Sequence, residues 1–168
     1  CDFEYVSGHA RISTFNNGSI KFLDKYANIA TFNSGKIMFM RDYAKIGTMI
    51  NGTVDGMLNK TEIRTMMNGH IGYMLNKTKI GTLNQGDVKE ICDNAQIDTM
   101  NEGKVAHMMG NSMIFQQIGG QIEETTGQAI LLYAQKPTKK LDNKIENTRI
   151  KDRIFFFIIL PRLFKIFF

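Results

Sequence analysis

The amino-acid sequence predicts an all-β fold: a single parallel β-solenoid of about seven 17-residue coils with two strands per coil, followed by a tail outside the solenoid. Three columns of residues with the same seventeen-residue spacing predict this fold. The glycine column is Gly18, Gly35, Gly52, Gly69, Gly86, Gly103 and Gly120. The isoleucine column is Ile12, Ile29, Ile46, Ile63, Ile80, Ile97 and Ile114. The threonine column is Thr14, Thr31, Thr48, Thr65, Thr82 and Thr99.

Each repeat unit contains two similar halves, and each half predicts one short strand and one turn. The first full unit runs over residues 10–26, and residues 1–9 form the second half of an earlier unit. β-Branched Ile and Thr favour extended backbone, and the Asn residues that recur before the column glycines and at Asn59 and Asn76 favour turns. Helix-pair repeats need about 33 residues and leucine-rich repeats about 20–29, so neither class fits this period.

The pattern of charge predicts which columns face the core. Polar residues such as Arg11, Lys45 and Glu62 occupy the second position of the unit, which places that column in water. Alternation then predicts that the Ala/Thr column at the first position, the Ile column and the Thr column point inward. We expect a second column, of Ile and Val in the second strand of the unit, to point inward as well: Ile20, Ile37, Val54, Ile71, Val88, Val105 and Ile122. Methionine columns follow three residues after the Ile columns, and we expect a bend that turns them inward as well, since Met fills irregular corners.

Charge is divided unevenly between the repeats and the tail. The chain of 168 residues has a formal charge of +5. Residues 1–134 carry 12 Lys and Arg against 13 Asp and Glu, whereas residues 135–168 carry 9 against 3. The repeats lack the basic surface of a nucleic-acid-binding protein, so we expect no nucleic-acid partner. Low Pro content and only two Cys exclude a disordered chain and a disulfide-rich miniprotein.

We expect three segments: a solenoid domain over residues 1–134, a Lys-rich linker over 135–153 and a Phe-rich hydrophobic tail over 154–168. The tail has fifteen residues and is interrupted by Pro161 and two charges, which makes it too short for an ordinary transmembrane helix. Three interpretations stay open: the tail lies in a membrane interface, it packs on the solenoid end or another subunit, or it is an extension without a role. Membrane contact is expected only through this segment, and oligomerisation stays open.

Two neighbouring aromatic columns are the candidate binding surface. Aromatic side chains recur at the thirteenth position of the unit, where Gly56 interrupts them, and a second set lies beside them together with His9. Stacked aromatic residues offer a large contact area for sugar rings or a partner protein. The alternative is burial against a turn or a neighbouring domain. The candidate binding residues are Tyr5, Phe22, Phe39 and Tyr73 in the first column and Tyr26 and Tyr43 in the second.

Further along the first column, Glu90, His107 and Glu124 would lie about 4.8 Å apart on successive coils. That arrangement is found in acid–base and metal sites, but a solvated ladder of charges is the simpler interpretation. We therefore predict a non-enzymatic protein with no catalytic residues, no metal site and no cofactor.

Over residues 1 to about 134, the column pattern resembles short-period β-solenoids of bacterial surface adhesins and phage tail fibres. The resemblance implies a rigid rod used as a spacer or display surface, located outside the cell, on the cell surface or on a virion. The expected function is a structural or adhesive module whose partner is a surface glycan or a protein. The alternatives are a solenoid enzyme that processes polysaccharides and a peripheral membrane protein anchored by its tail.

Overall fold

The computed structural model describes residues 1–132, and these residues form the predicted parallel β-solenoid. All its regular elements are strands, and fifteen of the sixteen contain five residues. The strands are β1 Asp2–Val6, β2 Arg11–Phe15, β3 Ser19–Leu23, β4 Asn28–Phe32, β5 Lys36–Met40, β6 Lys45–Met49, β7 Thr53–Met57, β8 Glu62–Met66, β9 His70–Met74, β10 Lys79–Leu83, β11 Asp87–Ile91, β12 Gln96–Met100, β13 Lys104–Met108, β14 Met113–Gln117, β15 Gln121–Thr125 and β16 Ile130–Leu131.

Odd and even strands form two separate parallel sheets of eight strands each. We call the odd-strand sheet A and the even-strand sheet B. Each strand pairs with the strand two elements later, so that residues seventeen apart are partners, as in Ile29↔Ile46. The eight strands per sheet correspond to about eight coils, one more than the seven complete units predict. The additional strands come from the half unit before Ala10, which forms β1, and from β16 after the last unit.

The core lies between the two sheets and consists of the predicted Ile and Met columns. Along a strand such as β6, Ile46 and Met49 point inward and are at most 1% exposed, and the two residues between them face outward. The predicted bend is therefore present in both sheets. Met40, Met57, Met74 and Met108 fill the corresponding positions of sheet A at 0–1% exposure. Flexible methionine fills the corners of this narrow interior without requiring one rigid shape.

The Thr column faces outward, and the prediction that it faces the core is wrong. Thr14 is exposed, and the threonines from Thr31 to Thr99 are half-buried on the outer face of sheet B. Strict alternation fails because two residues separate the inward Ile from the inward Met or aromatic residue, and both of them point to solvent. The paired threonines lie in register, as in Thr31↔Thr48. The second-position column is on the outer face, as predicted.

Two kinds of turn close each coil. Glycine has positive φ at most turns that lead into sheet A, for example 111° at Gly35. In the described residues, four of the turns that lead into sheet B have two successive residues with positive φ, for example 54° at Asn59 and 63° at Lys60, and the other four have one, for example 72° at Gly8. Two such residues in succession are typical of a type I′ turn, for which Asn is well suited. The interpretation of the recurrent Asn residues as turn residues is therefore confirmed for Asn59 and Asn76. We call the edge formed by the turns that lead into sheet B the Asx edge.

The small column at the first position of the unit lies fully inside the solenoid. Ala27, Ala44 and Ala95 are completely buried there. Thr61, Thr78 and Ser112 occupy the same column at 0% exposure, and their hydroxyl oxygens have no hydrogen-bond partner. Three of the described coils thus bury a hydroxyl group at an apolar position where other coils have alanine.

The predicted linker over residues 135–153 and the hydrophobic tail over 154–168 lie outside the described residues.

Within residues 1–132, ion pairs join neighbouring coils, as between Lys45 and Glu62 at 2.9 Å. Such exposed pairs contribute at most about 1 kcal/mol each. Their mixed signs agree with the small net charge of the repeats.

Candidate functional site

The first aromatic column is a stack of rings on the outer face of sheet A. Tyr5, Phe22 and Phe39 occupy the same position of β1, β3 and β5, and the parallel register pairs each with the next. The ring centroids are 5.0 Å apart for Tyr5 and Phe22, and 5.8 Å apart for Phe22 and Phe39. The interplanar angles of 20° and 18° describe nearly parallel rings. The structure thus brings together three of the four residues predicted for this column.

Tyr73 belongs to the same column, and its ring lies over Gly56, the residue that interrupts it. A Cβ atom at Gly56 would be 2.5 Å from Tyr73 Cζ. Gly56 is buried although it lies at an outward position of β7. The Tyr73 ring therefore occupies the space that a side chain at position 56 would need, and it covers the gap in the column.

The second aromatic column lies at the Asx edge. His9, Tyr26 and Tyr43 stack with centroid distances of 5.3 Å for both neighbouring pairs and interplanar angles of 14° and 16°. Lys60 follows in the next coil, where its Nζ donates a hydrogen bond of 3.1 Å to the Tyr43 hydroxyl and lies 5.1 Å from the ring centroid. The hydrogen bond to Tyr43 raises the pKa of Lys60 above its ordinary value. The column therefore ends in a cation placed near the last ring.

Arg41 fixes the middle of the first column. Its guanidinium carbon lies 4.3 Å from the centroid of Phe22, and its Nη2 donates to Asp24 Oδ2 at 2.6 Å. Asp24 is only 9% exposed. A guanidinium over an aromatic face contributes about 0.5–1 kcal/mol at an exposed site. Phe22 thus contacts two rings and the Arg41 guanidinium, and Lys21 Nζ lies 5.6 Å from its centroid.

Stacking decides what these columns offer to a ligand. A sugar ring packs against the open face of an aromatic ring, whereas the faces of Phe22 and Tyr26 are turned toward their neighbours in the stack. Tyr5, Tyr26 and Tyr43 remain 42–58% exposed, and Tyr5, at the end of the first column, has a stacked ring on one side only. Each stacked pair contributes about 0.5–1.5 kcal/mol beyond its buried area. The aromatic columns therefore stiffen the N-terminal coils, and the rings inside each stack present their edges to a partner.

The acidic and histidine column continues on β11, β13 and β15. Glu90 pairs in register with His107, and His107 with Glu124. The Nδ1 atom of His107 lies 2.9 Å from Glu124 Oε2. A second pair, His70 with Asp87, lies in a different column of the same face. Both pairs are solvent-accessible contacts between neighbouring coils, which is the geometry of the charge ladder that the sequence favours.

A groove along the Asx edge was not identified from the sequence. It has a volume of about 400 Å³ and spans four successive coils, with two residues from each. The sequence signal for this edge is the Asn-Lys pair at 59–60 and 76–77, which predicts turns but not the space between them. The lining residues are Asp42, Tyr43, Asn59, Lys60, Asn76, Lys77, Asp93 and Asn94.

Hydrogen bonds organise part of that groove. Asn76 Nδ2 donates to Asn59 Oδ1 at 3.4 Å, and Asn59 Nδ2 donates to Asp42 Oδ1 at 3.1 Å. Within residues 1–132, the Asp93 carboxylate and the Asn94 amide make no side-chain hydrogen bond. One half of the groove is therefore ordered by its own ladder, and the other half keeps free donors and acceptors.

In the described part of the chain, the candidate metal ligands and the Cys92 thiol give little support to metal or thiol chemistry. Residues 1–132 contain no cluster of three or more His, Cys, Asp and Glu side chains placed to hold a metal ion. Cys92 is a free, half-exposed thiol whose pKa is raised, first by burial and then by the nearby Asp93 and Glu90 carboxylates. A raised pKa reduces the reactive thiolate fraction.

No protein-family model, curated protein or solved structure matches this chain. In the described residues, no helix is long and apolar enough to cross a membrane. The fold is therefore established by the structure itself: an all-β parallel solenoid of about eight coils with a seventeen-residue period.

Proposed function

We propose that this protein is a non-enzymatic structural or adhesive module, a rigid rod that holds a binding surface for a glycan or a protein outside the cell or on a virion. The observation that carries the proposal is the unbroken register of both sheets. From β1 to β16, every strand continues its own sheet at a spacing of seventeen residues. A rod of this kind has the same cross-section in every coil, which suits a spacer.

Backbone hydrogen bonds and core packing support the rigidity of the rod. Turn residues also bond from coil to coil, for example Lys45 N to Ala27 O at 3.0 Å and Thr53 N to Gly35 O at 3.0 Å. Eight strands span seven interstrand spacings, which gives a length of about 34 Å. Because each repeat contacts mainly its neighbours, stiffness is distributed along the whole rod.

The adhesive part of the proposal concerns the predicted aromatic residues. Tyr5, Tyr26 and Tyr43 are 42–58% exposed, so a protein or glycan partner could contact them. Phe22 lies between two rings of the first stack, so its main contribution is to stability, and Phe39 ends the stack against Phe22. Substituting them tests folding as well as binding.

The experiment that tests the proposal is an assay of binding and turnover with one set of polysaccharides and the full chain. We expect binding without turnover. Turnover of any polysaccharide that is abolished by Glu90→Gln and Glu124→Gln would contradict the proposal and support an enzyme. Measuring Phe22→Ala and Phe39→Ala in the same assay, with folding checked by circular dichroism, separates lost binding from lost structure.

A further inference from the structure

We infer that the groove along the Asx edge is a binding site for a linear, neutral oligosaccharide that lies parallel to the solenoid axis. This inference rests on the proposed function and names the ligand class of its binding surface. The groove is built from the type I′ turns of four successive coils, at Asp42–Tyr43, Asn59–Lys60, Asn76–Lys77 and Asp93–Asn94.

The shape of the groove favours an extended polymer. Its lining residues lie in two parallel columns, seventeen residues apart from coil to coil, so the groove follows the axis of the rod. Four coils span three interstrand spacings, about 14 Å. A polymer with a repeating unit would meet the same turn geometry at each coil, whereas a compact small molecule would contact only one or two coils.

The charges of the groove favour a neutral ligand. Asp42 and Asp93 supply two carboxylates, and Lys60 and Lys77 supply two ammonium groups, so the formal charges cancel. Nucleic acid and strongly anionic polymers bind to surfaces with excess Lys and Arg, which this groove lacks. A protein interface needs about 800 Å² per partner and is depleted of charge at its centre. Four charged residues among eight fit that description poorly.

The hydrogen-bonding groups match a ligand rich in hydroxyls. Asn amides both donate and accept, Asp carboxylates accept, and Lys ammonium groups donate. A sugar hydroxyl also donates and accepts, so neighbouring hydroxyls can be satisfied by an amide and a carboxylate in succession. Asp93 and Asn94 have no side-chain partner within residues 1–132 and are exposed, which leaves their full capacity for such a ligand.

One end of the groove adds an aromatic wall. Tyr43 is 42% exposed, and its hydroxyl is already oriented by Lys60 at 3.1 Å. Its ring stacks on Tyr26 on one side, so the remaining edge and hydroxyl face the groove end. The lining thus combines seven polar residues with one aromatic contact.

Positive φ angles determine which substitutions test this site. Asn59 and Asn76 have φ of 54° and 58°, so alanine would strain the backbone there. Glycine removes the amides without that strain, and Gly110 occupies the corresponding position of a later coil at φ 62°. The test variant is therefore Asn59→Gly with Asn76→Gly. The matched control is Asn16→Ala with Asn33→Ala on the opposite edge, where Asn33 Nδ2 donates to Asn16 Oδ1 at 2.6 Å and neither residue lines a cavity within residues 1–132.

The experiment is isothermal titration calorimetry of the full chain with β-1,4-linked hexasaccharides of glucose, xylose and mannose. We expect at least one of them to bind, the test variant to weaken its affinity by about tenfold or more, and the control variant to bind like the original protein. Circular dichroism checks that both variants keep the β-sheet signal.

Two results would overturn the inference: no hexasaccharide binds the original protein, or the test and control variants bind equally well. Failure of the proposed function gives a different result. Hydrolysis of a bound hexasaccharide would show that the module is an enzyme, and loss of binding in the test variant would then make the groove a substrate site.

Discussion

The ring of Tyr73 lies over the backbone of Gly56, with its Cζ atom 2.5 Å from the place where a Cβ of residue 56 would be. The two residues are register partners on β9 and β7. An interruption in the aromatic column is thereby covered by the side chain of the following coil. The aromatic column therefore covers the backbone without a gap, although Gly56 has no side chain.

Gly56→Ala should displace the Tyr73 ring and lower the free energy of unfolding by about 1–3 kcal/mol, since added volume in a packed contact forces a neighbour to move. Urea unfolding followed by tyrosine fluorescence measures the effect. The control is the double variant with Tyr73→Ala, in which the alanine at position 56 no longer meets a ring. Because the two sites share one contact, their effects should not add. Strictly additive effects would show that the contact is absent.

The buried hydroxyls of Thr61 and Thr78 should destabilise the protein, because neither has a hydrogen-bond partner. Thr61→Val and Thr78→Val keep the branched shape and remove the polar atom. We expect each to raise the free energy of unfolding by about 1–2 kcal/mol. Thr48→Val on the outer face of sheet B is the matched control and should change stability by less than about 0.5 kcal/mol. A loss of stability at positions 61 and 78 would mean that their hydroxyls are satisfied.

Phe22→Ala should be the most damaging substitution in the first aromatic column. The substitution removes the stacking of Phe22 on two neighbouring rings and its contact with Arg41. Each stacked pair contributes about 0.5–1.5 kcal/mol to stability. Tyr5→Ala removes a single stack and should cost about half as much or less. Thermal unfolding of both variants provides the comparison. Equal losses would argue that the rings act independently instead of as a stack.

Cys92 should react more slowly with iodoacetamide than the exposed Cys1 at about pH 8. Burial raises the pKa of the Cys92 thiol above its ordinary value of 9.0, so the thiolate fraction is smaller in the folded protein than in the unfolded chain. Ionisation above that pH therefore favours unfolding, and stability should fall as the pH rises past 9.0.

Mass spectrometry of the labelled peptides measures both rates. In urea the difference between the two cysteines should largely disappear. A Cys92 thiol that reacts at the same rate in the folded and unfolded protein would contradict the assigned burial.

Much of the fold was predictable because residues separated by one repeat period in the sequence are neighbours in a solenoid. Residues seventeen apart become register partners, so the Ile and Met columns of the sequence are the columns of the core. The turn chemistry was predictable for the same reason, since Gly35 and Asn59 carry the positive φ angles for which their residue types are suited.

The orientation of the Thr column was not predictable from alternation. A five-residue strand with Ile46 and Met49 both inward must place two consecutive residues, including Thr48, on the outer face. A pattern of apolar and polar residues fits both strict alternation and two consecutive outward residues. The narrow core of the folded protein selects the second arrangement. The contact between Gly56 and Tyr73 was hidden for a similar reason, because column patterns do not include side-chain direction.

The candidate binding residues were predicted as columns, but their chemistry depends on stacking. Phe22 and Tyr26 stand in the predicted places, yet their ring faces are covered by neighbours. The groove of the Asx edge depends on type I′ turns that project two side chains per coil. Such turns are recognisable from Asn-Lys pairs, but the space between successive turns is a property of the folded chain.

Each seventeen-residue step advances the chain by one coil and leaves the Thr column outside, and both properties can be measured. Double electron–electron resonance tests them most directly, with spin labels on cysteines that replace Thr14 and one of Thr65, Thr82 or Thr99 in a chain without native cysteines. We predict distances of about 14, 19 and 24 Å for the three pairs, with mobile, solvent-exposed labels. Distances that do not increase in equal steps, or labels that are immobilised in the core, would contradict the account.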